Sequence, residues 1–97
     1  MGKKLRFEWD KANQDHIAIH GVTTDEVEEV FSRPVYEIPA DRDEPRNLCV
    51  GPTAKERFLA IAYTMREGNV RVVTAFPASR KQRKQYAKAF CKQQSNE

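Results

Sequence analysis

Cysteine is scarce in this chain of 97 residues: Cys49 and Cys91 are its only two, and they form no CxxC pair. That argues against a thiolate metal cluster or a disulfide-stapled scaffold, and in a reducing compartment both thiols are expected to be packing groups. Long apolar runs are missing as well. Nothing approaches the roughly 20 residues needed to span a bilayer, and Met1-Gly2-Lys3-Lys4-Leu5-Arg6 is not followed by the apolar stretch of a signal peptide. The expectation is a cytoplasmic protein with no membrane association. Glycine (4) and proline (5) are too sparse for a low-complexity linker, and no internal repeat is visible. The chain has no nucleophile elbow, P-loop, dinucleotide fingerprint or Cys-His pair at a recognised spacing, so acyl transfer and nucleotide-cofactor chemistry have no support. No cofactor and no metal are expected.

Acids are absent from one end. Arg71 to Glu97 holds seven Lys/Arg and one acid, whereas Met1 to Val70 holds ten Lys/Arg and thirteen acids. The net charge of +3 thus divides into −3 and +6, and one part of the folded molecule should carry a positive field that attracts polyanions, nucleic acid first among them.

What remains is the composition of a soluble globular protein, 39% hydrophobic and 32% charged. The length fits one domain spanning residues 1–97, with a core over about 7–90. A domain this small buries only about 60 to 65% of its unfolded surface, so a partner protein would add appreciable stability.

Local signals give the order of elements. Asp10 reads as the N-cap of a first helix that ends at His20-Gly21, where glycine supplies a left-handed residue. Thr23-Thr24-Asp25-Glu26 reads as a capping box, and Val22 with Val27 as a hydrophobic staple. A second helix is therefore predicted from about Thr24 to Ser32, with Val27, Val30 and Phe31 on one buried stripe and Pro34 ending it. Four β-rich segments follow: Val35 to Ile38, Asn47 to Val50, Arg57 to Met65 and Val70 to Phe76. They are separated by the polar Ala40 to Pro45 loop, by Gly51-Pro52 and by Gly68-Asn69. Short connections predict an antiparallel meander with the doubly apolar Phe58 to Tyr63 segment central. Ser79 and Gln82 repeat the capping-box pattern and start a basic helix running to about Gln93. The fold class is thus α+β: a short extended N-terminal piece, two helices, a four-stranded antiparallel meander and a C-terminal basic helix.

Arg80, Lys81, Arg83 and Lys84 crowd the start of that last helix with no acid among them. Cations there oppose the helix dipole at roughly a few tenths of a kcal/mol each, a cost that makes sense if they bind phosphate or an acidic partner. A solvated charged face is the plainer alternative. His16 and His20, four positions apart, share a helix face, but a zinc site needs further ligands and no H-E-x-x-H motif is present. Histidine is the residue type suited to proton transfer at neutral pH, which makes His20 a candidate general acid or base, or it simply packs beside Gly21. Trp9 suits either base stacking or a core position. Metal-free RNA cleavage uses the substrate's own 2′-hydroxyl and needs a proton acceptor, a proton donor and cations around the phosphate. Arg46, Arg57, Arg71, His20 and Tyr86 are of the right types, although any one arginine is equally a solvated sheet-edge charge.

Taken in order, several segments resemble the BrnT-type toxins over roughly residues 7–86. They are Phe7-Glu8-Trp9-Asp10, His20-Gly21-Val22-Thr23 with Glu26, Val27-Glu28-Glu29-Val30-Phe31, Arg46 to Gly51, Thr64, and Arg71-Val72-Val73-Thr74-Ala75 leading to Arg80-Lys81 and Tyr86. The resemblance implies a RelE-like α+β fold, a ribonuclease that halts translation, and a cognate DNA-binding antitoxin that masks the toxin and represses their shared promoter. It also implies catalytic candidates His20, Arg46, Arg71 and Tyr86, with Arg80, Lys81, Arg83 and Lys84 contacting RNA. A homodimer is open. The chain departs from the family pattern twice. Phe76 stands where the family usually has Arg, which removes a phosphate clamp, and Gln82 stands where it usually has Glu, which removes a titratable group. The alternatives are a non-catalytic module of the same fold that binds nucleic acid or an acidic protein through its basic helix, and an interaction protein that only docks a partner on the sheet edge or helix.

Overall fold

The computed structural model describes residues 5–38 and 46–94. Its elements are β1 (Arg6–Glu8), α1 (Lys11–Ile19), α2 (Thr24–Phe31), β2 (Tyr36–Ile38), β3 (Asn47–Pro52), β4 (Phe58–Arg66), β5 (Asn69–Pro77) and α3 (Arg80–Gln94). The Ala40 to Pro45 loop expected from the sequence lies outside the described residues. No helix among the described residues is long and apolar enough to cross a membrane.

The helices start where their caps direct. The Asp10 side chain accepts from the Asn13 amide and the Asn13 side chain accepts from the Asp10 amide, a reciprocal box that opens α1. Thr23 and Glu26 do the same for α2, and Ser79 and Gln82 for α3. Asn13 is buried, and its Nδ2 also donates to the Glu8 carbonyl at 2.8 Å, tying β1 to α1.

β2 to β5 form the expected meander, with all neighbouring pairs antiparallel. The sheet itself has five strands, not four, in the order β1-β5-β4-β3-β2. The N-terminal extended piece is the extra strand, and it pairs in parallel with β5: Arg6 opposite Asn69, Phe7 opposite Val70, Glu8 opposite Arg71. A three-residue run has too little periodicity to announce itself, and its partner lies some sixty residues away. The β4–β5 turn is Glu67-Gly68 rather than Gly68-Asn69, both residues having positive φ (51° and 83°), which leaves Asn69 free to pair with Arg66 and Arg6.

One face of the sheet, with Leu59, Ile61, Tyr63, Val70, Val72, Ala75 and Cys49, packs on Ile17, Val22, Val27 and Val30 from α1 and α2. Gly51 permits a close approach: a Cβ there would sit 2.9 Å from Val30 Cγ1 and 3.3 Å from Val35 Cγ1. α3 packs on the opposite face over β3 and β2. Its Tyr86 ring meets Phe58 edge-on at 5.2 Å and Phe90 at 4.6 Å. The β5 half of that face is only partly covered, leaving Thr64, Arg71, Thr74 and Phe76 half-buried. β4 and β5 fall out of register between Ala62 and Tyr63, which leaves Val73 unpaired with β4, and there α1 abuts β5 with His16 Nδ1 3.2 Å from the Val73 carbonyl oxygen.

Candidate nucleic-acid interface

The basic helix begins on a fully made cap. Ser79 Oγ accepts from the Gln82 amide at 3.1 Å, and Gln82 Oε1 accepts from the Ser79 amide at 2.8 Å. Glutamine serves this box as well as glutamate would, so Gln82 has a structural role that needs no charge. Arg80, Lys81, Arg83 and Lys84 are all exposed, and none makes an ion pair with another of the described residues. Arg80, Arg83, Lys84 and Ala87 line an open, shallow depression on the helix. The three cations that line it and the neighbouring Lys81, with no carboxylate among the described residues to neutralise them, form a surface that suits a phosphate backbone.

The other sequence-predicted residues divide between two ends of the sheet. His20 is the C-cap of α1, exposed, with its ring edge-on to Phe76 at 5.9 Å. Phe76 precedes Arg80 by four residues, so His20 shares the end of the sheet from which α3 departs. Phe76 thus has a packing partner at the strand end. Tyr86 lies further along α3, half-buried between Phe58 and Phe90.

Arg71 lies five residues before Phe76 on β5, roughly 16 Å away along the strand. It is half-buried on the face that carries Thr64, its register partner. Its Nη1 reaches Asp10 Oδ2 at 3.0 Å and Glu8 Oε1 at 3.9 Å. Arg66 Nη1 is also 3.9 Å from Glu8 Oε1. Asp10 is held below the usual carboxylate range, first by the Asn13 amide and then by the Arg71 guanidinium. Arg46 is exposed and directly precedes Asn47, which pairs with Tyr63; it falls at the row of Thr64 and Arg71, two strands or roughly 10 Å from Arg71. Arg46 and Arg71 therefore belong to one end of the sheet, and His20 with the start of α3 to the other.

The structure assigns other candidates to the framework. Arg57 donates to Glu26 at 3.1 Å and to the Gly21 carbonyl at 3.0 Å, fastening α2 to the start of β4. Trp9 packs on the core, and its Nε1 donates to Glu28 at 2.8 Å. Cys49 is buried and unpaired, its thiol pushed up to about 12 first by burial and then by the Glu37 carboxylate. Burial, and then the hydrogen bond that its hydroxyl donates to Glu37 at 2.7 Å, raise the Tyr63 phenol far above neutrality. Among the described residues no group of three or more His, Cys, Asp or Glu is placed to hold a metal ion.

Sequence reasoning missed Glu8, Asp10 and Arg66 as neighbours of Arg71. The parallel β1–β5 pairing brings them together, and its one sequence signal was the short extended piece before the Asp10 cap.

No curated protein matches the chain. A family model described as the ribonuclease toxin, BrnT, of type II toxin-antitoxin systems matches residues 9–82. His20, Arg46, Arg71, Arg80 and Lys81 fall within the match, whereas Arg83, Lys84 and Tyr86 lie beyond it.

Proposed function

The chain belongs to the BrnT family of ribonuclease toxins of type II toxin-antitoxin systems, and from that premise we propose that it is a metal-independent endoribonuclease that halts translation. RNA lies across the half-covered β5 side of the sheet. Arg71 and Arg46 hold the phosphate whose bond is cut. Arg80, Lys81, Arg83 and Lys84 hold the flanking backbone at the α3 end, the end where His20 and Tyr86 lie. The 2′-oxygen attacks its own phosphorus and the 5′-oxygen departs, giving a 2′,3′-cyclic phosphate and a 5′-hydroxyl. Cations suffice to stabilise the charge that develops on the phosphoryl oxygens. The observation that carries this reading is the combination of an acid-free basic helix with an open sheet face bearing Arg71, in a chain of this family.

A cognate antitoxin is the partner that type II membership implies. An acidic segment of it would compete with RNA for the same cations of α3, because carboxylates and phosphates demand the same donors.

A second reading is favoured by the Asp10 carboxylate that already occupies Arg71 at 3.0 Å: a module that binds RNA or its partner without cutting. Induction in cells separates the two. The enzyme arrests growth, and Arg46→Ala or Arg71→Ala abolishes the arrest while the circular dichroism spectrum stays that of the parent. A binding module retains salt-sensitive RNA binding in both variants and loses it in the Arg80→Ala/Lys81→Ala double variant.

A further inference from the structure

Cleavage at Arg71 requires a proton acceptor within reach of the 2′-hydroxyl, and neither His20, at the opposite end of the sheet, nor Tyr86, packed between two rings, lies in that row. We infer that Glu8 is the catalytic proton acceptor, seated in an arginine cradle formed at the β1 edge of the sheet; this deepens the ribonuclease reading and rests on it.

Register puts the cradle on one face. Glu8 pairs with Arg71, Arg71 with Thr64, and Asn69 with both Arg6 and Arg66, so Arg6, Glu8, Asn69, Arg71, Arg66 and Thr64 share the face opposite α1 and α2. Two guanidinium groups, those of Arg66 and Arg71, thus lie within 4 Å of one carboxylate. The groups facing Glu8 are Arg71 and Asn69 from β5 and Arg66 from β4. Arg6 lies on its own strand, and Asp10 at the start of α1 reaches it only through Arg71.

The two acids beside Arg71 are bound differently. Asp10 is committed: one oxygen accepts from the Asn13 amide at 3.0 Å and the other meets Arg71 at 3.0 Å. A carboxylate stabilised in this way is a weaker base, which makes Asp10 a positioning residue that aims Arg71. Glu8 is loosely held. Its Oε1 is 3.9 Å from both Arg66 and Arg71, outside hydrogen-bond range, and its Oε2 is 3.5 Å from Asn69 Nδ2. Its side chain is 33% exposed, so its lone pairs remain open to a ligand.

A phosphodiester bridging Arg66 and Arg71 brings the adjacent ribose 2′-hydroxyl to Glu8. The carboxylate takes that proton as the 2′-oxygen bonds to phosphorus. The P–O5′ bond breaks, and the departing 5′-oxygen receives a proton from the newly formed carboxylic acid, directly or through solvent. No metal ion, oxidant or second substrate enters the balance.

The test is single-turnover cleavage of single-stranded RNA by the full chain in excess EDTA across pH, beside binding of the 2′-deoxy strand of the same sequence. For Glu8→Gln the expected result is a rate loss of about 10²-fold or more, with binding kept within a few-fold and the fall in rate at low pH gone. Glu8→Asp, which keeps a carboxylate on a shorter stem, should retain part of the rate and the low-pH fall, excluding a folding defect as the cause. A Glu8→Gln protein that cleaves at the parent's rate with the parent's pH profile overturns the assignment and leaves the ribonuclease reading standing. A parent that cuts no RNA overturns both.

Discussion

The two cationic regions of this molecule are built on opposite plans. On α3, Arg80, Lys81, Arg83 and Lys84 stand exposed and free of carboxylates among the described residues, held only by a helix whose cap is complete. At the β1 edge, Arg71 is half-buried, its guanidinium fixed by Asp10 and flanked by Glu8 and Arg66. Mobile exposed cations supply long-range attraction and sequence-independent affinity, and they release counterions when they bind. A guanidinium held by neighbours in a fixed orientation supplies positioning, which is what a transition state rewards. The difference suggests that α3 gathers RNA and the β1 edge performs the chemistry.

The largest effect should come from the β1 edge. Replacing Arg71 by Ala is expected to lower the cleavage rate by about 10²- to 10³-fold, the usual scale for losing one preorganised donor, while RNA affinity changes little. Equal losses of rate and affinity would blur the division of labour. Ser79→Ala comes next: it removes one half of the α3 cap at a cost of about 1 kcal/mol, lowering the melting temperature by about 4 to 8 °C in a domain of this size. Calorimetry would detect it, and an unchanged melting point would mean that the helix start contributes little to the fold.

The Arg80→Ala/Lys81→Ala variant sharpens the comparison from the other side. If each residue contacts one phosphate of a single strand, the slope of log affinity against log salt should become shallower by about 1.4, with the rate at saturating RNA preserved. The smallest effect concerns Asp10. Its carboxyl is depressed relative to the unfolded chain, so its contribution to stability is present above the ordinary carboxylate range and is lost as pH falls through its folded-state value. Asp10→Asn keeps a good cap residue but removes the charge facing Arg71. Thermal melts from pH 6 down to about pH 3 should therefore show a shallower acid loss in the variant than in the parent.

Much of the fold was legible because its signals are local. Asp10, Thr23-Glu26 and Ser79-Gln82 each announce a helix start within four residues, and the apolar run of β4 announces a central strand. The basic helix was legible for the same reason, since its cations are contiguous. The β1 edge was not. Glu8 meets Arg66 and Arg71 only because three residues pair in parallel with a strand some sixty positions later, and neither periodicity nor capping encodes such a partner. The departures at Phe76 and Gln82, which the sequence presents as losses, both acquire packing or capping roles in the structure: Phe76 against His20, and Gln82 in the α3 cap.

The most direct measurement is incubation of the purified protein with total RNA in excess EDTA, beside Arg71→Ala and Arg80→Ala/Lys81→Ala proteins whose folding has been verified by circular dichroism. The parent is predicted to cut the RNA, the Arg71 variant to leave it intact, and the double variant to cut it once RNA is saturating. Intact RNA in every lane, or cleavage by Arg71→Ala at the parent's rate, would contradict a metal-independent ribonuclease whose chemistry is centred on Arg71.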